Sequence, residues 1–485
     1  MRRCAGRKAL ALVVDKLAPK LAFITLGCPK NEVDTNLMRR AVENAGYFTH
    51  EYSAADLELA SADVAQFDAL VVNTCSFIQE ATEASIEAIF DALNLERKVN
   101  DRSESQEAES SAPAVIVAGC IVNRYANDLR QEMPEVAGFV KVGDTDALLE
   151  ILIARLPAGL DHAVKREQDT IRSYEYLRIA DGCNRKCSFC TIPDIRGSYV
   201  SQAPDLVIKQ AKDALSRGAR ELVVIAQDIG RYGSDLDLEV TLLALLEGLV
   251  RLPGLKRLRL MYLQPEGLSN ELIEFMAENE VVVPYLEIPL QHINPRILRA
   301  MGRNPRDVVS FAQQVRKART LMPELAVRTT LIAGFPDESE EEFKELCNFV
   351  EEVSVDYLGV FPYSPEEGTR AAELPGQLTD SVRLERAQII RDLADQIAWQ
   401  RIADRVGQSA EVLIEDHDTE EGALIARAAF QAPDIDGIVR VEAPAGMAQE
   451  DFFRRYELGS YLQVRFTDAI LYDLDAVIIP TKERV

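Results

Sequence analysis

The sequence predicts an α/β protein of three parts: an N-terminal parallel α/β sheet domain, a central partial (β/α)6 barrel and a small all-β C-terminal barrel. Short apolar runs alternate with helix-period segments over residues 19–155 and again over 156–405. Over 406–485 they give way to short strand-like runs separated by turn residues. A chain of 485 residues is also too long for one ordinary domain. Residues 1–18 are predicted to be a disordered extension.

Three apolar runs predict the strands of the first domain: "LAFITLG" (21–27), "DALVVNT" (68–74) and "AVIVAG" (114–119). A segment of helical periodicity follows each run, and this alternation implies a parallel sheet covered on both faces. The polar stretch "ERKVNDRSESQEAESSAP" (96–113) has no periodicity and predicts a mobile surface loop, with a functional tail as the alternative.

The central segment repeats the alternation and predicts six strands, which indicates a partial barrel rather than a complete eight-stranded one. Functional residues are expected at the C-terminal ends of such strands. An amphipathic helix over about 378–405 is expected to lead out of the barrel. The six predicted strands are "YLRIAD" (176–181), "ELVVIAQ" (221–227), "RLRLMYL" (257–263), "YLEIPLQ" (285–291), "AVRTTLIAGF" (326–335) and "DYLGVFPY" (356–363).

The last segment reads as about five short strands, which is typical of a small β-barrel. Residues 407–485 hold 16 Asp and Glu against 7 Lys and Arg, a net charge of −9. This barrel is therefore acidic, as is the whole chain, whose net charge is −25.

The charge and the apolar runs bound the protein's partners and location. A strongly acidic chain argues against a requirement for nucleic acid and favours a basic protein partner, although solubility alone also explains acidity. No apolar run is long enough to span a membrane, and the start of the chain lacks a secretory cleavage pattern. We expect a cytoplasmic, monomeric protein without a membrane partner.

The stretch "IADGCNRKCSFCTIP" (179–193) follows the first predicted barrel strand and places three cysteines in C-x3-C-x2-C spacing. A structural zinc site needs four ligands, normally as two separated pairs, and no fourth ligand follows here. Cysteine thiolates also hold iron–sulfur clusters, and three of them leave one iron open to a substrate or cofactor. The iron–sulfur interpretation is favoured over zinc or a chance cluster. Phe189 is predicted to pack against a planar ligand such as adenine.

A second set of cysteines follows the three strands of the first domain. Cys28 comes after "FITLG", Cys75 after "LVVNT" and Cys120 after "VIVAG". The C-terminal ends of parallel strands face one crevice, so the three thiols are expected to converge. Each could instead be a small buried hydrophobic residue, but three equivalent positions favour a second three-thiolate cluster. Cys4 and Cys347 are assigned to neither cluster.

These features together resemble the radical S-adenosylmethionine methylthiotransferases. The C-x3-C-x2-C loop on a partial barrel, with an aromatic residue before its last cysteine, resembles the radical enzymes in general. The three-cysteine α/β domain and the C-terminal barrel, which resembles a TRAM domain, extend the resemblance over nearly the whole chain. It implies a methylthiotransferase domain over 19–155, a radical enzyme domain over 156–405 and a TRAM domain over 406–485.

Two branches of the family differ in substrate. The RimO-like branch modifies an aspartate of the twelfth small-subunit ribosomal protein, and the alternative branch modifies adenosine in tRNA. The tRNA branch usually has Gln-Met-Asn after the first cysteine and a more basic C-terminal barrel than this sequence. One residue departs from the RimO-like pattern: Asp434 stands where glutamate is common. A non-catalytic iron–sulfur protein that binds the ribosome is a further alternative. Four motifs resemble the RimO-like branch: "LGCPKNEVDT" (26–35), "YLRIADGCNRKCSFCTIPDIRG" (176–197), "YLEIPLQHIN" (285–294) and "ARAAFQAPDIDGIV" (426–439).

The resemblance implies a mechanism and its cofactors. One electron from a cluster cleaves S-adenosylmethionine to a radical that removes a hydrogen from the aspartate β-carbon. Sulfur held at the other cluster and a second methyl donor then complete the methylthio group. An electron donor and a sulfur source are further partners, and the TRAM domain is expected to recognise the substrate. One 4Fe–4S cluster is implied on Cys28, Cys75 and Cys120, and the other on Cys183, Cys187 and Cys190.

Polar residues on the barrel strands are weaker candidates for contact with the cofactor. Gln227 and Asp228 end the second predicted strand, and Gln291 ends the fourth. Arg328 in the fifth could pair with the cofactor carboxylate. Each could instead be an ordinary polar residue of the barrel, and no acid–base catalytic residue is assigned.

Overall fold

The protein forms two compact units in a computed structural model. Apart from residues 77–80, the described residues up to 156 belong to the first unit, and the others belong to the second. Most of the predicted extension lies outside the described residues, as does the part of the predicted loop from 104 to 112. The part from 96 to 103 is instead helical. The described residues are 18–53, 67–103, 113–156, 172–237, 239–353 and 355–479.

The first unit is a five-stranded parallel sheet in the order β2-β1-β3-β4-β5. Alternate residues of its strands are buried on opposite faces: Leu21 and Phe23 in one core cluster, Ala22 and Ile24 in the other. This burial on both faces explains the continuous apolar runs. The elements are β1 (Lys20–Thr25), α1 (Pro29–Asn44), β2 (Phe48–Ser53), β3 (Ala69–Thr74), α2 (Gln79–Ser103), β4 (Ala114–Gly119), α3 (Cys120–Glu132), β5 (Gly138–Val140) and α4 (Thr145–Arg155).

The second unit contains all six predicted barrel strands. They form two parallel three-stranded sheets, β10-β9-β6 and β11-β12-β13, joined by a single bridge between Leu258 and Val282. A short antiparallel pair, β7 with β8, follows the first strand. The strands are β6 (Tyr174–Arg178), β7 (Ala180–Asp181), β8 (Val200–Ser201), β9 (Glu221–Ile225), β10 (Arg257–Leu260), β11 (Tyr285–Glu287), β12 (Ala326–Ala333) and β13 (Tyr357–Pro362).

Helices cover the outside of these strands and bury one large apolar core against them. The predicted exit helix is α12, and it packs against β13. The helices are α5 (Ile192–Arg196), α6 (Pro204–Ser216), α7 (Leu242–Leu249), α8 (Asn270–Glu278), α9 (Pro295–Ala300), α10 (Arg306–Leu321), α11 (Glu340–Val353) and α12 (Asp380–Ala403).

The C-terminal strands close into a five-stranded barrel in the order β14-β15-β16-β18-β17. All five correspond to predicted strands, and the all-β prediction is confirmed. The elements are β14 (Ser409–Asp418), β15 (Ala423–Ala428), β16 (Val439–Glu442), α13 (Gln449–Arg455), β17 (Tyr461–Ile470) and β18 (Asp473–Ile478).

The C-terminal barrel seals the N-terminal end of the six-stranded barrel. Arg427, at the end of β15, is fully buried and donates to both Glu221 at the start of β9 (3.1 Å) and Glu415 on β14 (2.7 Å). Arg259 of β10 donates to the same Glu221 at 2.7 Å. A buried ion network therefore joins the two barrels. We call residues 427–438, which connect β15 to β16 and enter this junction, the floor segment.

Two aspartates of the floor segment complete the junction. Asp434 accepts hydrogen bonds from the hydroxyls of Tyr174 and Tyr176, each at 3.0 Å. Asp436 accepts from the Tyr285 hydroxyl and from the Arg328 guanidinium, each at 2.6 Å. The motif "ARAAFQAPDIDGIV" (426–439) therefore joins the two barrels in the structure.

Within the described ranges, none of the helices combines the length and the apolar character that crossing a bilayer needs.

Candidate metal centres and cofactor site

Three glycines with left-handed backbones each precede a cysteine of the predicted clusters. Gly27, Gly119 and Gly182 have φ values of 96°, 96° and 76°, which other residues rarely adopt. A side chain at Gly27 would also overlap Cys75, because its Cβ would lie 2.6 Å from the Cys75 Cβ. These turns therefore let a thiol follow directly at the end of a strand and let the Gly27 backbone approach Cys75 closely.

Asn31 makes hydrogen bonds to each of the three segments that carry Cys28, Cys75 and Cys120. Cys28 is the residue before α1, and its carbonyl accepts from the Asn31 backbone at 2.8 Å. The Asn31 amide nitrogen donates to the carbonyl of Thr74, which precedes Cys75, at 2.9 Å, and its oxygen accepts from the Cys120 thiol at 3.5 Å. Cys75 and Cys120 are buried, and Cys28 is exposed. The hydrogen bonds of Asn31 therefore link the three strand ends that precede these cysteines.

Asn31→Ala should loosen this arrangement. The change leaves the carbonyls of Leu26 and Thr74 without the amide donor that they share, a loss of about 1–3 kcal/mol in the free energy of unfolding. It also removes the link between the two strand ends that precede Cys28 and Cys75. We expect lower iron occupancy, measured as iron per chain after anaerobic reconstitution. Asn36→Ala, on the same helix, is the control. Equal iron content in the two variants would contradict the role of Asn31.

Cys183, Cys187 and Cys190 lie in the loop after β6 and β7. The Cys183 thiol accepts from the Arg185 backbone at 3.4 Å, and the Cys190 backbone donates to the Cys187 carbonyl at 3.4 Å. Burial raises the pKa of the Cys190 thiol to about 12, and the charges of Cys187 and Cys183 contribute to that rise. The three thiols are thus close enough to interact with one another.

Both triplets fit an iron–sulfur cluster better than a single ion. Among the described residues, no three His, Cys, Asp or Glu side chains are arranged to hold one metal ion together. A 4Fe–4S cluster does not require such convergence, because each cysteine binds a different iron atom. Each triplet supplies three thiols, one set from a single loop and the other from the ends of three strands, and three thiols are a donor set that such a cluster takes.

Asp228 and Gln227, just after β9, each offer a buried oxygen beside the loop of Cys183, Cys187 and Cys190. Arg185, within the cysteine loop, donates to the other Asp228 oxygen at 2.7 Å, and burial raises the pKa of Asp228 against that charge. The Gln227 amide nitrogen donates to Asp181 at 2.7 Å. Asp228 Oδ1 and Gln227 Oε1 are buried without a hydrogen-bond partner among the described residues. These two acceptors fit a ligand that carries ammonium or hydroxyl donors.

Gln291 and Phe189 lie at the same end of the barrel. Gln291 has a left-handed backbone, with φ of 70°, fixed by hydrogen bonds of 2.7 Å to Thr330 and Ile332 of β12. Strain of this kind is concentrated at functional sites. Phe189 is half-buried and packs against an apolar cluster that includes Phe335.

Arg328 is not at this end of the barrel, which corrects the sequence-based placement. It is the third residue of β12, and its guanidinium pairs with Asp436 of the floor segment. We do not retain it as a cofactor contact. His292, which follows Gln291, is fully buried. Its Nδ1 accepts from the Asn294 backbone at 3.0 Å, and its Nε2 lies 3.3 Å from Glu338, which gives it a structural role.

Family models match the chain in three stretches. The uncharacterized protein family UPF0004 matches residues 20–141, the radical SAM superfamily 177–350 and the TRAM domain 406–479. A ribosomal protein uS12 methylthiotransferase RimO from Geotalea uraniireducens is 36% identical, over 95% of this chain and 98% of the relative. The chain belongs to the RimO family.

RimO relatives from other organisms agree. Those of Aquifex aeolicus and Nitratidesulfovibrio vulgaris are 37% and 38% identical, over 94% of this chain in both cases and over 96% and 99% of the relatives. A solved structure of the radical S-adenosylmethionine methyltransferase TsrM from Kitasatospora setae has a TM-score of 0.50. It is 14% identical over 72% of this chain and 74% of its own, and it shows a shared fold only.

RimO-family membership makes the chain a radical S-adenosylmethionine methylthiotransferase that uses S-adenosylmethionine and 4Fe–4S clusters.

The sequence analysis did not identify two residues of the site, Asn31 and Arg185. Asn31 follows Cys28 by three residues, a spacing that shares a helix face and could have identified it. Arg185 lies between two cluster cysteines, but its pairing with Asp228 depends on the fold.

Proposed function

We propose that this chain adds a methylthio group to the β-carbon of an aspartate in ribosomal protein uS12. Two incomplete cysteine triplets, each at the ends of parallel strands, carry the proposal. The RimO relatives are named as methylthiotransferases of the same substrate protein. A carbon-bound hydrogen beside a carboxylate is too weakly acidic for ordinary base catalysis, so a radical enzyme suits this reaction.

The proposed site assigns each residue a role. Cys183, Cys187 and Cys190 hold the cluster that supplies the electron for cleavage of S-adenosylmethionine. Asp228 and Gln227 accept from the ammonium or hydroxyl groups of that cofactor, and Gln291 contributes from the neighbouring strand end. Phe189 supports the adenine through apolar contact. The second cluster, on Cys28, Cys75 and Cys120, holds the sulfur to be inserted.

The acidic C-terminal barrel supports a protein substrate over tRNA. Its net charge of −9 repels nucleic acid phosphates and attracts a basic ribosomal protein. We further propose that the enzyme works as a monomer in the cytoplasm, where its ribosomal substrate is made. An electron donor and a sulfur source complete the set of partners.

Incubation with a peptide that carries the uS12 aspartate and, separately, with tRNA tests the substrate. We expect a mass increase of about 46 daltons on the aspartate, the mass of CH3S less one hydrogen, measured by tandem mass spectrometry. 5′-Deoxyadenosine should appear in the same reaction. The Cys187→Ala variant is the control and should give neither product.

Modified tRNA with an unmodified peptide would favour the tRNA branch instead. Reduced wild-type enzyme that yields no 5′-deoxyadenosine would favour a non-catalytic iron–sulfur protein that binds the ribosome. Comparing uS12 from cells with and without the gene extends the test to the intact substrate.

A further inference from the structure

Alternate residues of β12 and β13 face the interior of the six-stranded barrel. Leu331 and Val360 belong to the apolar core beneath the helices, so the residues that alternate with them point inward. Two of these inward-facing residues, Thr330 of β12 and Gly359 of β13, stand opposite each other in the register of the two strands. A glycine inside a strand has no side chain to pack, so it leaves space for another group at this level of the interior.

Three groups border the space at Gly359. A carbon atom at the position of a Cβ on this glycine would lie 3.4 Å from Thr330 Oγ1, 3.6 Å from Arg328 Nη2 and 3.7 Å from Phe361 Cε2. Apart from Gly359 and its chain neighbours, these are the nearest atoms, and the distances are those of ordinary van der Waals contacts. The space therefore accepts a ligand atom without a clash. We call Arg328, Thr330, Gly359 and Phe361 the interior pocket.

The interior pocket has two hydrogen-bond donors that are available to a ligand. Arg328 Nη1 donates to Asp436 of the floor segment at 2.6 Å, whereas Nη2 has no partner within the described ranges. The Thr330 hydroxyl likewise makes no hydrogen bond to a described residue. The Arg328 side chain is 17% exposed, whereas Arg259 and Arg427 of the same junction are 0% and 1% exposed. Arg328 is therefore fixed by the floor segment through one nitrogen and offers another to the interior.

The interior pocket lies between the floor segment and the cofactor end of the barrel. Gln291, assigned above to the cofactor, forms a bridge with Leu331, one residue beyond Thr330 along β12. One residue of a strand spans about 3.3 Å, so a small ligand held by Arg328 extends to the level of Gln291. β13 is an edge strand and Phe361 is 48% exposed, which leaves this side of the interior accessible.

We propose that the interior pocket binds the carboxylate of the substrate aspartate, with Arg328 and Thr330 as hydrogen-bond donors. This inference rests on the proposed function, in which a hydrogen is removed from the carbon next to that carboxylate. Guanidinium N–H groups form strong, charge-assisted hydrogen bonds with carboxylates, and a hydroxyl supplies one more donor. Arg427 already serves two carboxylates in this way, Glu221 at 3.1 Å and Glu415 at 2.7 Å.

The charges around Arg328 leave room for the carboxylate of a substrate. Asp436 and Glu287 both act on Arg328 electrostatically, but each has other donors. Asp436 accepts from the Tyr285 hydroxyl at 2.6 Å, and Glu287 accepts from the Tyr262 backbone at 3.1 Å. Neither carboxylate therefore depends on Arg328 alone. An adenine base carries no carboxylate, so this pocket favours the aspartate substrate over the tRNA alternative.

Binding of a fluorescent uS12 peptide to the reconstituted full chain tests the proposal without relying on turnover. The peptide carries either the aspartate or asparagine, its uncharged match, and we expect wild-type enzyme to bind the aspartate form about tenfold more tightly. Arg328→Lys retains a cation for Asp436 but loses the second donor arm, so it should bind both peptides with similar affinity. Arg391→Lys changes a guanidinium of α12 that donates to the Val360 carbonyl of β13, and this control should discriminate like wild type.

Gly359→Ala places a methyl group in the interior pocket and provides a second test. Alanine is more favourable than glycine inside a strand, so weaker binding in this variant does not reflect unfolding. We expect both peptides to bind about tenfold more weakly, because overpacking penalises the bound state. The affinity for S-adenosylmethionine, measured by equilibrium dialysis, should match that of wild type.

Several outcomes would overturn the proposal. Arg328→Lys could discriminate between the two peptides as well as wild type does, wild type could bind both equally, or Gly359→Ala could bind with wild-type affinity. Loss of affinity for S-adenosylmethionine in place of the peptide would assign the pocket to the carboxylate of the cofactor. A wild-type enzyme that neither binds nor modifies the aspartate peptide would instead overturn the proposed function, and this inference with it.

Discussion

Replacing Cys28, Cys75 and Cys120 together with alanine should remove about half of the iron, from about eight atoms per chain to about four. The reason is that these thiols belong to a separate site, in a different compact unit from Cys183, Cys187 and Cys190. Cleavage of S-adenosylmethionine should persist, whereas methylthio transfer should be lost. Iron analysis, 5′-deoxyadenosine formation and peptide mass together measure the outcome.

Cys347→Ala is the matched control for this experiment. Cys347 is half-buried against the apolar core of the second unit, and its removal should leave the iron content unchanged. An iron content of about eight in the triple variant would contradict the second cluster. Loss of all the iron would show that the two sites assemble together and not independently.

Arg427→Met should lower the free energy of unfolding of the second unit by about 3–5 kcal/mol, because it leaves buried carboxylates without their cation. Glu221 and Glu415 both depend on Arg427, and Glu221 is fully buried. Denaturant unfolding followed by circular dichroism measures the loss. Arg454→Met removes an exposed ion pair with Asp451 and should cost less than about 1 kcal/mol. Similar losses in both variants would refute a stabilising network at the junction.

The same network predicts a dependence on pH. Burial alone would raise the pKa of Glu221, but Arg259, Arg427 and Arg257 outweigh it and lower that pKa to about 2. A lowered pKa means that the stabilisation is present above the unfolded value of about 4.3 and is lost as pH falls toward 2. Unfolding free energies measured across this window should fall less steeply in Arg427→Met than in wild type.

Strong apolar periodicity made most of the fold predictable. All six barrel strands and all five C-terminal strands coincide with predicted runs. Three strands were not predicted: β8 has only two residues, and β2 and β5 lie at the edges of the first sheet. "FTHEYS" is polar and "GFV" is only three residues long, so neither shows the apolar run of a buried strand.

The cysteines of the site were predictable because the end of a strand can be located in sequence. Contacts between distant segments were not. Arg328 was expected near the cofactor, yet its partner Asp436 lies 108 residues away at the opposite end of the barrel. Arg427 and Glu221 are 206 residues apart. Pairing over such separations is decided by packing, which periodicity and spacing do not contain.

The floor segment has a consequence for how a ribosomal protein is held. It closes one end of the six-stranded barrel, and the cysteine loop, Asp228 and Gln291 lie at the opposite end. The eight residues of β12 span about 25 Å between those two ends. A ribosomal protein that touches the C-terminal barrel therefore does so with a region remote from its reacting aspartate. Such recognition would be bivalent, because a distant anchor would raise the effective concentration of the aspartate at the end of the barrel that carries the cysteine loop.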